Sequence, residues 1–134
     1  MKEHELTPDE VFKTVHPSVM GPALDARLRV IQDRRGHIAW RWGTGDNVEL
    51  THLKASEEGK GYGKSLLRDM LTVLKQNPPY ATVFGFTRTV NLKAQAFYQD
   101  NGFILTRVAG VYDDGGAVVF SARYKDLCEL HGVT

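Results

Sequence analysis

The residues best suited to bind a ligand form a glycine-rich loop between a predicted strand, Val48–Ala55, and a helix that begins after Gly63. Three glycines at alternate positions, Gly59, Gly61 and Gly63, let the backbone turn tightly and direct several N–H groups to one side. The helix N-terminus adds positive potential. The loop is therefore expected to bind an anion, and phosphate is the obvious candidate.

Two nucleotide-binding motifs do not match this spacing. A P-loop needs a glycine where Glu58 stands, and a carboxylate there would repel the phosphates. A dinucleotide-binding fingerprint that begins at Gly59 needs its third glycine at Lys64. A tight loop that binds nothing before an ordinary helix is the alternative that this segment leaves open.

A second pattern lies on a predicted helix with Asn91 as N-cap and Gly102 just past its C-terminus. Three apolar residues are expected to be buried, namely Leu92, Ala96 and Phe97. Tyr98 differs from them, because a phenol on a core-facing helix needs a polar partner or an opening at its tip. An ordinary core tyrosine is the alternative interpretation of Tyr98.

Together the two patterns resemble the GCN5-related N-acetyltransferase superfamily. Its first motif is Arg or Gln, two residues, Gly, one residue, then Gly or Ala, and Glu58-Gly59-Lys60-Gly61-Tyr62-Gly63 is similar to it. Its second motif, Asn-x-x-Ala-x-x-Phe-Tyr-x-x-x-Gly-Phe, is matched in full by residues 91–103. The resemblance covers roughly residues 28–124. The chain departs from the family in two ways: Glu58 stands at the Arg or Gln position, and the loop after Ala55 is shorter than usual.

The resemblance implies that acetyl-CoA binds where two parallel strands, residues 48–55 and 81–87, splay apart. The pyrophosphate would lie on the amides of the glycine loop, and the pantetheine arm would pair with the first strand. The implied cofactor-binding residues are Leu53, Lys54, Ala55, Gly59, Lys60, Gly61, Tyr62, Gly63, Lys64, Asn91, Ala94 and Tyr98. Glu58 would be unfavourable beside a pyrophosphate unless it points outward or meets a lysine.

The resemblance also implies the reaction, in which a primary amine attacks acetyl-CoA directly in a ternary complex. Tyr98 matches the family tyrosine near the sulfur and would stabilise the developing charge by hydrogen bonding. Glu49 matches a catalytic glutamate of the histone-acetyltransferase branch and would act as the base through a water. His52 and ordered water alone are the alternatives. On a regular strand, His52 faces away from Glu49. A backbone N–H near Leu53 or Lys54 would meet the oxyanion.

The sequence does not identify the acceptor amine. Trp40 and Trp42 share one face of a predicted strand, where core packing is a more common role than a substrate wall. Asp113 and Asp114 could attract a cationic amine, although a plain hairpin turn explains them equally well. The histidines lack metal-ligand spacing, so no metal is expected.

The predicted elements are consistent with an α/β (α+β) fold: a mixed, mostly antiparallel central sheet with a splayed parallel strand pair and flanking helices. A short helix is predicted after Thr7. Strands at 28–31, 37–42 and 48–55 form two hairpins, and a helix follows Gly63 until residues 77–79. A central strand at 80–87, the helix at 91–102 and a closing hairpin of 104–112 and 117–124 complete the order.

The length and composition favour one domain over residues 1–134, and the resemblance implies that it is an N-acetyltransferase domain with an abbreviated N-terminal helical region. A net charge of +1 does not favour membrane binding or nucleic acid, except as a specific acceptor. Cys128 is the only cysteine, and no leader or membrane span is recognisable, so a cytoplasmic protein is expected. A homodimer that completes an open site is one option. A non-catalytic acyl-CoA-binding module and an interaction protein of the same fold are the alternatives to an enzyme.

Overall fold

The computed structural model describes residues 28–42, 47–75, 81–108 and 116–133. Within these ranges the chain forms six strands and three helices. The strands are β1 (Arg29–Asp33), β2 (Gly36–Trp42), β3 (Val48–Ala55), β4 (Thr82–Arg88), β5 (Ile104–Val108) and β6 (Ala117–Arg123). The helices are α1 (Tyr62–Val73), α2 (Leu92–Asp100) and α3 (Tyr124–His131).

All six strands lie in one sheet, in the order β1-β2-β3-β4-β6-β5. Every neighbouring pair is antiparallel except β3 and β4, which are parallel. These two strands pair at two positions only, Val48 with Val83 and Glu49 with Phe84, and then separate. The predicted mixed sheet with a splayed parallel pair is confirmed, and so are the two consecutive hairpins of β1, β2 and β3.

A β-bulge interrupts β3 at Thr51. Two consecutive residues of β2 pair with Leu50 and His52, which leaves Thr51 as an extra residue, and its hydroxyl donates to the Ala39 carbonyl at 3.0 Å. One extra residue shifts the alternation of side chains. Glu49 and His52 therefore lie on the same face of the sheet. Opposite faces were expected only for a regular strand, and the bulge removes that condition.

The helix α1 covers the face of the sheet opposite to Glu49 and His52. Its buried residues recur at helical spacing, as predicted, and they are Leu66, Leu67, Met70 and Leu71, followed by Leu74 at the C-cap. They pack with Ile38, Trp40 and Leu50 of the sheet in one core cluster. Trp40 is fully buried and Trp42 packs against the same cluster, which supports the core interpretation of both tryptophans.

The helix α2 packs on the same face as α1, but it buries a different residue from those expected. Tyr98 is its buried residue, whereas Leu92 is 70% exposed and Ala96 is also exposed. Phe97 is half-buried. The prediction for Leu92 and Ala96 is wrong, because α2 contacts the sheet along a narrow stripe centred on Tyr98, which stacks on Phe120 of β6.

The predicted elements do not include α3. The predicted last strand ends at Tyr124, whereas in the structure Tyr124 is the first residue of this helix. It buries Tyr124 and Leu127 and ends at Gly132, which has a left-handed backbone with φ 69°. Tyr124 donates from its hydroxyl to the Leu71 carbonyl of α1 at 3.0 Å. The predicted helix after Thr7 and the turn at Asp113 and Asp114 lie outside the described residues.

Candidate functional site

A cleft of about 700 Å³ lies between the end of β3, the glycine loop and α2. This volume is in the range of small-molecule sites. It brings together all of the predicted cofactor-binding residues except Lys60, which is exposed elsewhere on the loop. The residues that line it are Leu53, Lys54, Ala55, Glu57, Glu58, Gly59, Gly61, Tyr62, Gly63, Lys64, Asn91, Lys93, Ala94, Phe97 and Tyr98.

The glycine loop presents an uncapped helix N-terminus to this cleft. Gly59 and Gly61 have φ of 76° and 74°, a left-handed backbone that favours glycine. Gly61 is the N-cap of α1, and no side chain caps the helix. The amides of residues 62–64 have no hydrogen-bond partner in the described part of the chain. The first turn carries no acidic residue, so these amides are available to an anion.

Glu58 forms an ion pair with Lys93 of α2, across the mouth of the cleft. Both side chains are 77% exposed. The carboxylate that would otherwise repel phosphate is therefore matched by a cation. The sequence indicates that Glu58 must point outward or meet a lysine. It does not indicate which lysine, because Lys93 is 35 residues away in the chain.

The helices α1 and α2 approach closely beside the loop. A Cβ atom at Gly63 would lie 3.0 Å from the Phe97 ring, so glycine sets the spacing of the two helices. Asn91 caps α2 as predicted, because its side chain accepts a hydrogen bond from the Ala94 amide at 3.1 Å. These contacts fix the width of the cleft.

Tyr98 is 7% exposed and lies parallel to Phe120, with ring centroids 3.6 Å apart. Phe97 and Phe103 contact the same ring edge-on. Burial raises the pKa of the Tyr98 hydroxyl, so the phenol stays protonated at neutral pH. This hydroxyl has no hydrogen-bond partner among the described residues, although Tyr98 lines the cleft. The arrangement leaves one hydroxyl donor for a ligand.

Glu49 lies on the opposite face of the sheet from Tyr98. It forms an ion pair with Arg41, whose Nε and Nη2 atoms both lie 3.0 Å from Oε1. Glu49 does not line the cleft. It stands at the last paired position of the parallel strands, opposite Phe84. The two predicted catalytic residues thus lie on either side of the gap between β3 and β4.

Gly85 lies directly beyond that last paired position on β4. A Cβ atom there would lie 2.3 Å from Cζ of Phe120 and 2.5 Å from the Leu50 carbonyl oxygen. The close approach of the Leu50 carbonyl therefore requires glycine in β4. The sequence does not predict that Gly85 makes room for the Leu50 carbonyl, because a glycine within a strand does not reveal which backbone approaches it.

Several solved structures that resemble this chain are acetyltransferases. Naa50 from Arabidopsis thaliana, in complex with the bisubstrate analogue CoA-Ac-MVNAL, is 18% identical, with a TM-score of 0.67, over 90% of this chain and 97% of the other. Ard1 from Thermoplasma volcanium is 17% identical, with a TM-score of 0.65, over 91% and 96%. A Bacillus subtilis acetyltransferase in complex with CoA is 18% identical, with a TM-score of 0.65, also over 91% and 96%.

This chain has the fold of the GCN5-related N-acetyltransferases. The resemblance inferred from the two sequence motifs is confirmed at the level of the fold. No protein-family model matches the sequence, and no curated protein matches it. Because the identities are low, the activity has to be argued from the site itself.

Two further features of this acetyltransferase fold concern metals and membranes. Residues 28–42, 47–75, 81–108 and 116–133 contain no group of three His, Cys, Asp or Glu side chains placed to hold a metal ion. In the same ranges, no helix has the length and apolar character needed to span a membrane. His131 is buried and contacts the Asn101 carbonyl at 3.1 Å, away from the cleft.

Proposed function

We propose that the chain is an N-acetyltransferase that transfers an acetyl group from acetyl-CoA to a primary amine. The observation that carries this proposal is the free N-terminus of α1, which opens into a cleft beside the gap between β3 and β4. Three unpartnered amides meet an anion there, and Tyr98 supplies a hydroxyl donor at the other end of the cleft. An anionic ligand with a reactive end near the gap fits this arrangement.

The residues present fit CoA in charge and in shape. The pyrophosphate would lie on the amides of residues 62–64, with Lys64 close by and with the Glu58 carboxylate neutralised by Lys93. The pantetheine arm would pair with the edge of β3 near residues 53–55, because β3 has no pairing with β4 beyond Glu49. The thioester would then reach the gap beside Tyr98.

Acetyl-CoA supplies an activated acyl group with a thiolate as the leaving group. The Tyr98 hydroxyl donates a hydrogen bond to the charge that develops on the sulfur. A backbone N–H of β3 near Leu53 or Lys54 stabilises the oxyanion. The acceptor approaches from the face that carries Glu49, because the helices occupy the other face. The transferred group therefore passes through the gap between the two strands.

The base lies on the Glu49 face. Both Glu49 and His52 are candidates there, since the bulge at Thr51 places them on the same face. Replacing Glu49 by Gln should abolish or move the acidic limb of the pH–rate profile if Glu49 is the base, directly or through water, because a general base acts only after it has lost its proton. If His52→Gln moves or abolishes this limb and Glu49→Gln leaves it unchanged, His52 is the base. Two unchanged profiles would leave ordered water as the proton acceptor.

The acceptor is a primary amine on a small molecule or a macromolecule. We include peptide N-termini among the amines to be tested, because the analogue bound to Naa50 joins CoA to the sequence MVNAL. We also propose a cytoplasmic location and a homodimer. A non-catalytic acyl-CoA-binding module is the second candidate, favoured by the exposed ion pair of Glu58 at the usual Arg or Gln position.

Thermal unfolding with acetyl-CoA tests the proposal. A ligand at about 100 times its dissociation constant adds about 2.7 kcal/mol of stability, which is roughly a 10 °C rise in Tm for a chain of this size. Lys64→Ala should weaken binding about threefold to tenfold, whereas Lys60→Ala is the matched control and should not. No shift at millimolar acetyl-CoA would overturn the proposal.

Release of free thiol across a panel of amines and peptides separates an enzyme from a binding module. An N-acetyltransferase should release CoA faster with at least one amine than without it. A chain that binds acetyl-CoA but shows no amine-dependent release would support the binding module instead.

A further inference from the structure

Arg35 lies in the turn between β1 and β2, and only 13% of its side chain is exposed. Its Nη2 atom lies 2.6 Å from Asp33 Oδ2 and 2.7 Å from Asp69 Oδ2. Its Nε donates to the Asp33 carboxylate at 3.0 Å, and its Nη1 donates to Ser65 Oγ at 2.7 Å. One guanidinium group therefore joins its own turn to the first half of α1.

The backbone of the same turn holds the other end of the glycine loop. Ser56, the first residue after β3, donates from its amide to the Arg35 carbonyl at 2.8 Å. Its hydroxyl donates to the Arg34 carbonyl at 2.6 Å. The β1–β2 turn thus contacts the residue that precedes the loop and, through Ser65, the helix that follows it.

The turn packs so closely against β3 that no side chain fits at Gly36. Gly36 has φ 122°, and a Cβ atom there would lie 2.0 Å from the Lys54 carbonyl oxygen. The centre of the loop, by contrast, has free space, because a Cβ atom at Gly59 or Gly61 would meet nothing within 4 Å. The conformation of the loop therefore depends on how its two ends are held.

Arg35 does not bind the ligand itself. It does not line the cleft, and its charge is matched by Asp33 and Asp69. In agreement with this pairing, the Arg35 side chain lowers the pKa of Asp33 to about 2. Any effect of Arg35 on ligand binding must act through the loop and the start of α1.

We propose that Arg35 is a positioning residue for the cofactor: its guanidinium fixes the direction of the free amides of α1 by holding the helix end of the glycine loop against a turn whose backbone holds the Ser56 end. The inference rests on the proposed function in naming acetyl-CoA as the ligand. Without the guanidinium, the loop populates other conformations, and the apparent affinity falls with the fraction that remains competent.

The decisive variant is Arg35→Ala, compared with Arg34→Ala. Arg34 is the matched control, because it lies in the same turn and its exposed side chain has no partner in the described part of the chain. We expect Arg35→Ala to raise the Kd of acetyl-CoA about tenfold, with kcat at saturation within about twofold. Arg34→Ala should leave both unchanged.

Hydrogen exchange supplies a readout that does not need the ligand. The Ser65 amide, which bonds the Gly61 carbonyl, and the amides of the following turn of α1 should exchange about tenfold faster in Arg35→Ala, while those of α2 and β4 keep their rates. Arg35→Lys should recover only part of the affinity, since one ammonium cannot reach Asp33, Asp69 and Ser65 together. Ser65→Ala removes only the bond to α1, so it carries the test if Arg35→Ala does not fold.

An unchanged Kd and unchanged exchange of Ser65 and the following turn of α1 in Arg35→Ala and Ser65→Ala would overturn the inference. A lower urea midpoint with an unchanged Kd would also overturn it, because that result describes a purely structural role. If the unaltered chain binds no acetyl-CoA, the proposed function fails, and the exchange comparison alone decides whether Arg35 holds the loop.

Discussion

Tyr98 and Tyr124 are both buried phenols, but their hydroxyl groups have opposite surroundings. The Tyr124 hydroxyl donates to a helix carbonyl, whereas the Tyr98 hydroxyl has no partner in the described residues. The Tyr98 hydroxyl is not among the fully buried polar atoms without a partner, so it is accessible from the cleft that Tyr98 lines, where a ligand can accept its hydrogen bond. The two residues therefore provide a matched pair of Tyr→Phe substitutions.

Tyr98→Phe should lower turnover about tenfold to a hundredfold, because the hydrogen bond to the leaving sulfur is lost. The Kd of acetyl-CoA and the free energy of unfolding should change little, since no protein partner loses its bond. Steady-state kinetics with a binding titration and urea denaturation measure the three quantities. Unchanged turnover would show that Tyr98 is structural.

The ion pair of Glu58 and Lys93 should control affinity through charge. Lys93→Ala leaves the carboxylate uncompensated and should raise the Kd of acetyl-CoA several-fold, whereas Glu58→Gln should lower it. The double variant should lie near the unaltered chain, and all differences should shrink at high salt. Titrations at low salt that show no effect of Lys93→Ala would contradict this account.

At the scale of elements, most helices and strands could be predicted from the sequence, because helix caps, turns and apolar spacing each involve residues that are close together in the chain. The apolar spacing of α1 and the cap at Asn91 are of this kind. The bulge at Thr51 could not be predicted, because it exists only in the pairing of β3 with β2. The Glu58–Lys93 pair and the contacts of Arg35 likewise depend on tertiary packing. The helix α3 was predictable, since Leu127 and Gly132 carry ordinary helix signals.

The strand β4 should tolerate no side chain at Gly85. Gly85→Ala places a methyl group against the Leu50 carbonyl and the Phe120 ring, and overpacking of this kind costs about 1–3 kcal/mol. Displacing Phe120 also moves the surface on which Tyr98 stacks, so turnover should fall as well. Urea denaturation and kinetics measure both effects.

Gly132→Ala is the control for this substitution. Its left-handed backbone makes alanine unfavourable, but a Cβ atom there would meet nothing within 4 Å, and Gly132 does not line the cleft. Stability should therefore fall without a loss of turnover. Gly85→Ala with normal stability would contradict the close approach of β3 and β4.

At the scale of the molecule, the described chain forms two groups of elements that are each continuous in sequence. Residues 29–73 supply β1–β3 and α1, and residues 82–131 supply the remainder. The strands of the two groups pair at only two positions. The helix α3 adds a second connection, because it packs on α1 and Tyr124 donates to the Leu71 carbonyl.

Tyr124→Phe should lower the free energy of unfolding by about 1–2 kcal/mol. Leu71 lies in the last turn of α1, where its carbonyl has no helical donor, because the Lys75 amide bonds Thr72 instead. Urea denaturation measures the loss, with Tyr98→Phe as the control that keeps its stability. Equal stability of the two variants would show that the bond to Leu71 contributes nothing.

The position of the cleft between the two groups of elements has a consequence for inheritance. A ligand in the cleft touches the glycine loop of the first group and α2 of the second, so it would brace them against each other. Substitutions that weaken the α3 contacts would then have little effect on the amount of folded protein in cells rich in the cofactor. The same alleles would cause loss of the protein when the cofactor pool falls, because the less stable fold is degraded.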